Sequence, residues 1–420
     1  MAGMRRIGVS LAPKTVRSIR LFGLLVAQLC AYSMLSALCF ACPLYLFDCS
    51  GSSTLYGAVA AIAFIPGVLA TPVGGILADR GRHRGVLVVL GIVLMAASLL
   101  FIPMKRSLPL AVVVAAMLCV QYGIQSLLKP MLQIEAVCMT GQEKVERATA
   151  LVSQIIMMSN ILGPVVGTAV YGCFGIDTLC ETAALTFTIS ALLFGGALKQ
   201  NASSETMGDG ATRTTRRNDF RELIRYLSQN SSLLVVFLLA AILNLALVGL
   251  TIGAPVIVAK HLGMQSSFVG IIEVAMGLGG LVGSGLVGIW PHRFSFKGIC
   301  RYVAMICFGV VPIIVTLLSG PDELAFAALA AGSAWVMAWA SIASVEIVSF
   351  VQRSAPKELC GKVLALVYMM LSCATPIGQL VYGLAYDRWT PAIVFAGMLA
   401  VLTLTTALFY RLKSRLWRLP

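Results

Sequence analysis

Charge is what this sequence has least of: 11% of its 420 residues are Asp, Glu, Lys or Arg, against 59% hydrophobic. A water-soluble chain of this length needs far more polar side chains to cover its surface, so a soluble domain is excluded. Acid is scarcer still, with 17 Asp and Glu against 31 Lys and Arg, and there are three histidines. No segment fits the phosphate loop G-x-x-x-x-G-K-[ST], so nothing supports ATP-driven chemistry. The twelve cysteines are dispersed without metal-ligand spacing, and His83, His261 and His292 fall in loops, so no metal site is expected. No nucleophile stands with a base and an orienting group, which argues against an enzyme. The apolar stretches are continuous and lack the alternation of a membrane β-barrel.

What remains is an all-α integral membrane protein. Spanning the bilayer takes about 20 apolar residues per helix. Twelve stretches of about that length are expected near 21–46, 54–78, 86–103, 109–128, 148–172, 182–198, 232–258, 267–289, 302–319, 324–348, 363–385 and 390–410. Residues 1–20 carry Arg5, Arg6, Lys14, Arg17 and Arg20 ahead of an apolar run too long for a signal peptide, so the first helix is expected to stay attached.

A net charge of +14 raises the question of nucleic acid, and the positions of the basic residues answer it. With twelve spans, 27 of the 31 fall on the side of the termini, and four, Lys105, Arg106, Lys260 and Arg388, fall on the other. The excess is a topology signal, so no nucleic-acid partner is expected and both termini are placed in the cytoplasm. Cys49, Cys173 and Cys180 then fall on the outer side, where they can oxidise; their pairing cannot be deduced.

The polar stretch 199–231 divides the chain into a first half, 1–198, and a second half, 232–420. Shifting the sequence by 210 or 211 positions lays Gly75 on Gly285, Gly167 on Gly378 and Tyr171-Gly172 on Tyr382-Gly383. Two six-helix halves related by parallel duplication place a substrate path between them and imply rocking of one against the other.

The turn after the second stretch, Gly75-Ile76-Leu77-Ala78-Asp79-Arg80 followed by Arg82, His83 and Arg84, resembles the signature loop of the major facilitator superfamily. The resemblance covers the whole chain. It departs at one position: Arg82 stands where the family usually has glycine, a pattern shared with branches resembling macrolide and siderophore exporters. The second-half copy has Ile289 in place of the aspartate and keeps His292, Arg293 and Lys297. The resemblance implies twelve helices in two pseudo-symmetric halves and a conformational latch made by Gly75, Asp79, Arg80, Arg82 and Arg84. The residues themselves also allow a plain topology signal. Gly163-Pro164 with Gly167 resembles a motif of proton-coupled drug exporters in the fifth helix; close packing of small residues explains it equally well.

Charges inside apolar stretches are costly and therefore informative. Glu273, flanked by Gly270-Ile271-Ile272 and Val274-Ala275-Met276, is the leading candidate for proton coupling or for pairing with a cationic substrate. A carboxylate there can exchange a proton as its surroundings change from dry to wet. Glu135, Glu346 and Arg353 are gating candidates. Gln28, Tyr32, Gln121, Gln125, Gln154, Asn160, Asn244, Tyr368 and Gln379 are candidates to line a cavity, with hydrogen bonding between helices as their other reading. The expected activity is secondary transport, namely proton-coupled efflux of lipophilic small molecules. No cofactor is expected beyond a proton gradient; the partners are a small-molecule substrate, the proton and the lipid bilayer of the cell membrane, and the chain is expected to be a monomer. Import of a metabolite and a non-transporting receptor or scaffold are the alternatives.

Overall fold

The computed structural model describes residues 14–79, 83–140, 145–198, 231–354 and 360–416. Among them every long element is a helix, as an apolar chain requires when only its own backbone can satisfy its N–H and C=O groups. In chain order these are α1 (Lys14–Ser50), α2 (Ser53–Asp79), α3 (His83–Ser107) and α4 (Leu110–Thr140). One helical run, Val145–Leu198, is broken at Gly175, whose φ of 84° and ψ of 172° no helix can hold; it divides into α5 (145–174) and α6 (176–198). The second half holds α7 (Ser231–Pro255), α8 (Val269–Ile289), α9 (Ile299–Ser319), α10 (Asp322–Ser354), α11 (Cys360–Arg388) and α12 (Pro391–Leu416).

Two boundaries differ from expectation. The polar stretch near 173–181 was expected to be a loop, yet α6 begins directly after Gly175. Ile176, Leu179 and Cys180 are buried there, and Asp177 forms an ion pair with Lys105 of α3, so its charge does not oppose the helix. Cys180 therefore lies in the packed interior rather than on the outer surface, and Cys49, Cys173 and Cys180 are all free thiols. The seventh helix, in turn, runs past Pro255 into a π-helical turn, Val256–His261, closed by Leu262 N–H donating to Ile257 O at 2.8 Å.

The buried side chains form two clusters. One gathers Leu35, Leu38, Phe101, Leu118, Met131 and Phe187 from α1 to α6. The other gathers Val236, Tyr302, Val336, Phe395 and Leu402 from α7 to α12, and also takes in Leu44, Phe47 and Tyr56 from the first half. Large apolar side chains such as Leu185, Leu192, Phe308 and Leu404 point outward, as a lipid-facing surface requires.

Helix pairing repeats between the halves. In the first, α1 packs on α5, α2 on α4 and α3 on α6; in the second, α7 packs on α11, α8 on α10 and α9 on α12. Adding six to each number converts one set into the other. The principal contacts between halves, α2 with α11 and α5 with α8, exchange under the same operation. This is the twelve-helix arrangement of two pseudo-symmetric halves.

Candidate functional site at the junction of the two halves

The junction is built from helix ends. Gly51, with a φ of 65°, closes α1 by donating its N–H to Phe47 O at 2.8 Å and turns the chain into α2. A helix start leaves its first N–H groups without intrahelical partners. Ser52 supplies one acceptor, its Oγ receiving Leu55 N–H at 3.2 Å. The next two donors are satisfied from the other half: Ser53 N–H donates to Asp387 Oδ1 at 2.9 Å and Thr54 N–H to Asp387 Oδ2 at 2.8 Å. Ser52 Oγ also donates to Asp387 Oδ2 at 2.9 Å. Asp387 thus sits, from α11, on the positive end of the α2 dipole.

Partial burial acts to raise the Asp387 pKa, but the hydrogen bonds from Thr54, Ser53 and Ser52 outweigh it and hold the carboxyl well below the usual carboxylate range. Lys260, presented by the π-helical turn after α7, lies 3.6 Å from Asp387 and donates to Gly51 O at 3.3 Å. A second carboxylate bridges in the opposite sense. Asp48 of α1 accepts Ser266 Oγ from the second half and Tyr171 Oη from α5, each at 2.7 Å. Tyr45 packs edge-on against Tyr171 and lies beneath the Lys105 ammonium, so α1, α3 and α5 are tied into the same corner.

Below these polar ties the backbones meet with nothing between them. A Cβ on Gly57 of α2 would collide with Gln379 O and approach Gly383 Cα of α11 to 3.1 Å; one on Gly383 would lie 2.7 Å from Ser53 O. Across the second seam, Gly172 abuts Ser267, Gly270 abuts Thr168, and Gly277 abuts Ile161. These contacts occupy the first eight residues or so of α8, about 12 Å of helix at 1.5 Å per residue. Farther along, Gly285 and Gly288 have no atom within 4 Å of where a Cβ would stand. Among the described residues the halves are thus closed together at the end opposite the chain termini, while farther along α8 Gly279 and Gly283 pack on α10 of the same half.

Glu273 lies one turn beyond Gly270 and one turn before Gly277, within the seam between α8 and α5. It is half-buried, near enough to Tyr56 of α2 for its charge to act on that ring, and has no hydrogen-bond or ion-pair partner among the described residues. A carboxylate there can bind a proton or a cationic group that reaches it.

The other sequence candidates fall in several places. Gln28 and Tyr32 are buried and line a small pocket of about 40 Å³ in the first half, together with Leu87, Leu132, Phe187 and Ser190. Tyr32 Oη donates to the Gln125 backbone oxygen at 3.4 Å. Gln121 is fully buried, and among the described residues both its amide atoms lack partners, as does Oε1 of Gln28. Gln154 and Asn160 are exposed on α5, Asn244 is half-buried on α7, and Gln379 is half-buried on α11 at the seam with α2.

Gly163 packs on Ser36 and Gly167 on the Ala37 backbone of α1, with Pro164 buried between them, so this motif closes α5 onto α1 within one half. Glu346 lies 3.9 Å from Arg353, two turns along the same helix, and this pair does not bridge the halves. Gly75 and Asp79 end α2 and Arg84 begins α3, while Glu135 and Tyr368 lie in α4 and α11; their side chains, with Arg80 and Arg82 entirely, lie outside the described residues.

Asp48, Lys260 and Asp387 were missed as a group. Each stands at an apolar stretch's end, where a charge reads as ordinary solvation. The available signal was the Ser52-Ser53-Thr54 run, a helix start rich in hydroxyls beside a turn glycine.

The fold is that of several solved transporters. A bacterial homologue of the iron transporter ferroportin, in an inward-facing state, superposes with a TM-score of 0.70 at 15% identity, covering 95% of this chain and 99% of that one. The nucleoside transporter NupG gives 0.70 at 14% identity, over 95% and 99% of the two chains. A bacterial homologue of the human lysosomal transporter Spinster, inward-facing and unoccupied, gives 0.69 at 13% identity, over 96% and 98%. No curated protein matches the sequence. Residues 24–379 match the family described as Major Facilitator Superfamily, and with the paired halves and the junction between them, this establishes that the chain belongs to the major facilitator superfamily.

Proposed function

We propose that this chain exports lipophilic small molecules across the cell membrane in exchange for protons, by alternating access between its two halves. The observation that carries the reading is Glu273: a carboxylate without a hydrogen-bond or ion-pair partner among the described residues, on the seam between halves. The distribution of Lys and Arg supports cytoplasmic termini, and the contacts of Gly57 with Gly383 and of Gly270 with Thr168 at the opposite end then support an outer end closed in this arrangement, with substrate loaded from inside. Glu273 then exchanges its proton as the halves rock and its surroundings change from wet to dry. Scarcity of other charges in the spans favours a lipophilic cargo over a strongly anionic or sugar-like one. Asp79, with Arg80, Arg82 and Arg84, latches the terminus-side ends in the opposite state. The unit of function is the monomer, since each chain contains both halves of the path.

Replacing Glu273 with Gln removes the exchangeable proton while keeping the shape. In vesicles, Glu273→Gln is expected to abolish proton-driven efflux of a panel of dyes, macrolides and siderophores, and to abolish substrate-dependent proton flux. Coupling equal to wild type overturns the role given to Glu273. Accumulation of the same panel in cells with and without the protein tests direction: lower accumulation with the protein supports export, and higher accumulation replaces it with import.

A further inference from the structure

We propose that Asp387 is the latch that holds the outer ends of the two halves together, by capping from α11 the helix start of α2, and that Asp48 is its counterpart acting from the first half on Ser266. This rests on the alternating-access reading above.

The chemistry lies in who supplies the partner. Helix starts are ordinarily capped by their own chain within three residues. Here Ser52 covers only Leu55 N–H, and the two preceding donors, Ser53 and Thr54, turn to an aspartate more than 330 residues away in the other half. Separation of the halves strands both N–H groups and exposes the carboxylate to water. The cap is therefore made in one state and unmade in the other, as a latch requires. Lys260 adds a second tie across the same gap, to Gly51 O. The seam beneath, Gly57 on Gly383, brings the two backbones close enough for a short aspartate to reach its donors. Asp48, from the first half, holds Ser266 of the second, so each half lends one carboxylate to the other.

Helices α2 and α11 run antiparallel, so the end of α2 at Asp79 and the start of α11 at Cys360 lie at the opposite end of the same helix pair. Asp387 occupies, at the outer end, a position equivalent to the one proposed for Asp79 at the inner end.

The test reads conformation rather than transport. In a variant retaining only Cys49, which is exposed on the first half, Trp389→Cys adds a second thiol on the second half, and nitroxides on the two report the opening of the outer end. Wild type is expected to show a dominant short distance. Asp387→Ala is expected to lower the ratio of short to long distances by about tenfold or more, the scale of losing hydrogen bonds to a charged acceptor. Asp387→Asn, whose carbonyl still accepts one N–H, should fall between the two.

An Asp387→Ala ratio within about twofold of wild type overturns the latch. If the alanine variant does not yield folded protein, Asp387→Asn decides: an intermediate ratio supports the latch and a wild-type ratio overturns it. A wild type that shows one distance only, with every substrate of the panel and none, removes alternating access itself. Two wild-type distances with a ratio indifferent to Asp387 remove only the latch.

Discussion

The carboxylate of Asp387 accepts the backbone N–H of Thr54 at 2.8 Å, and with it a helix of one half is completed by a side chain of the other. Closing this end of the junction is thus partly a matter of finishing secondary structure. An N-cap is worth about 1 kcal/mol in an ordinary helix, and this one exists only while the halves touch.

Acid should loosen this junction. The Asp387 carboxyl is held well below the usual range in the closed state, so its contribution is complete above the ordinary value of about 3.9 and is lost as pH falls towards the depressed one. Lys260 is the one charged group paired with it among the described residues. The short nitroxide distance is expected to hold its population from about pH 7 to 5 and to decline below about 4, and Asp387→Asn should lack that decline. A pH-independent population would show that proton uptake at Asp387 is not linked to opening.

Two glycines of α8, two residues apart, should behave differently. A Cβ at Gly283 would strike the Ala338 backbone of α10, whereas one at Gly285 meets open space. Gly283→Val is expected to cost about 1–3 kcal/mol by overpacking and to lower the melting temperature by a few degrees. Gly285→Val should leave it within about a degree of wild type. Equal effects, measured by thermal unfolding in detergent, would contradict the packing described here.

Arg353 separates a gate from a local pair. It is 71% exposed and reaches Glu346 at 3.9 Å along its own helix, a geometry worth no more than about 1 kcal/mol. Arg353→Ala is expected to change efflux rate less than about twofold and to leave the nitroxide ratio unmoved. A large shift in that ratio would place Arg353 in the gating machinery after all.

Much of the architecture was legible from the chain because the bilayer narrows the choices. Long apolar runs must be helices, and the asymmetry of Lys and Arg orders them into an even number of spans. The half-chain offset then announces two halves, which the repeated pairing of α1 with α5 and α7 with α11 displays in three dimensions. The loop from Asp79 to Arg84 pointed to the family that residues 24–379 match. The junction was less legible. Gly175 was one glycine among 39, and nothing local distinguished it as the residue that divides α5 from α6. Gln28 and Gln121 looked like cleft residues because an amide in an apolar stretch carries no information about which side of its helix is wet. Both are buried, Gln28 beside a small pocket of the first half.

The sequence by itself determined that this is a twelve-span membrane protein of duplicated design, because hydropathy, charge asymmetry and internal repetition are properties of the chain alone. It also singled out Glu273, since a lone carboxylate in an apolar run is conspicuous before any fold is known. Only the tertiary structure decided how the halves meet: that Gly57 lies on Gly383, that Asp387 completes the helix beginning at Ser53, and that Asp48 reaches Ser266. Those contacts join residues hundreds of positions apart. Their physical content, two N–H groups without partners in their own helix meeting an acceptor from another, does not exist until the two helices are side by side.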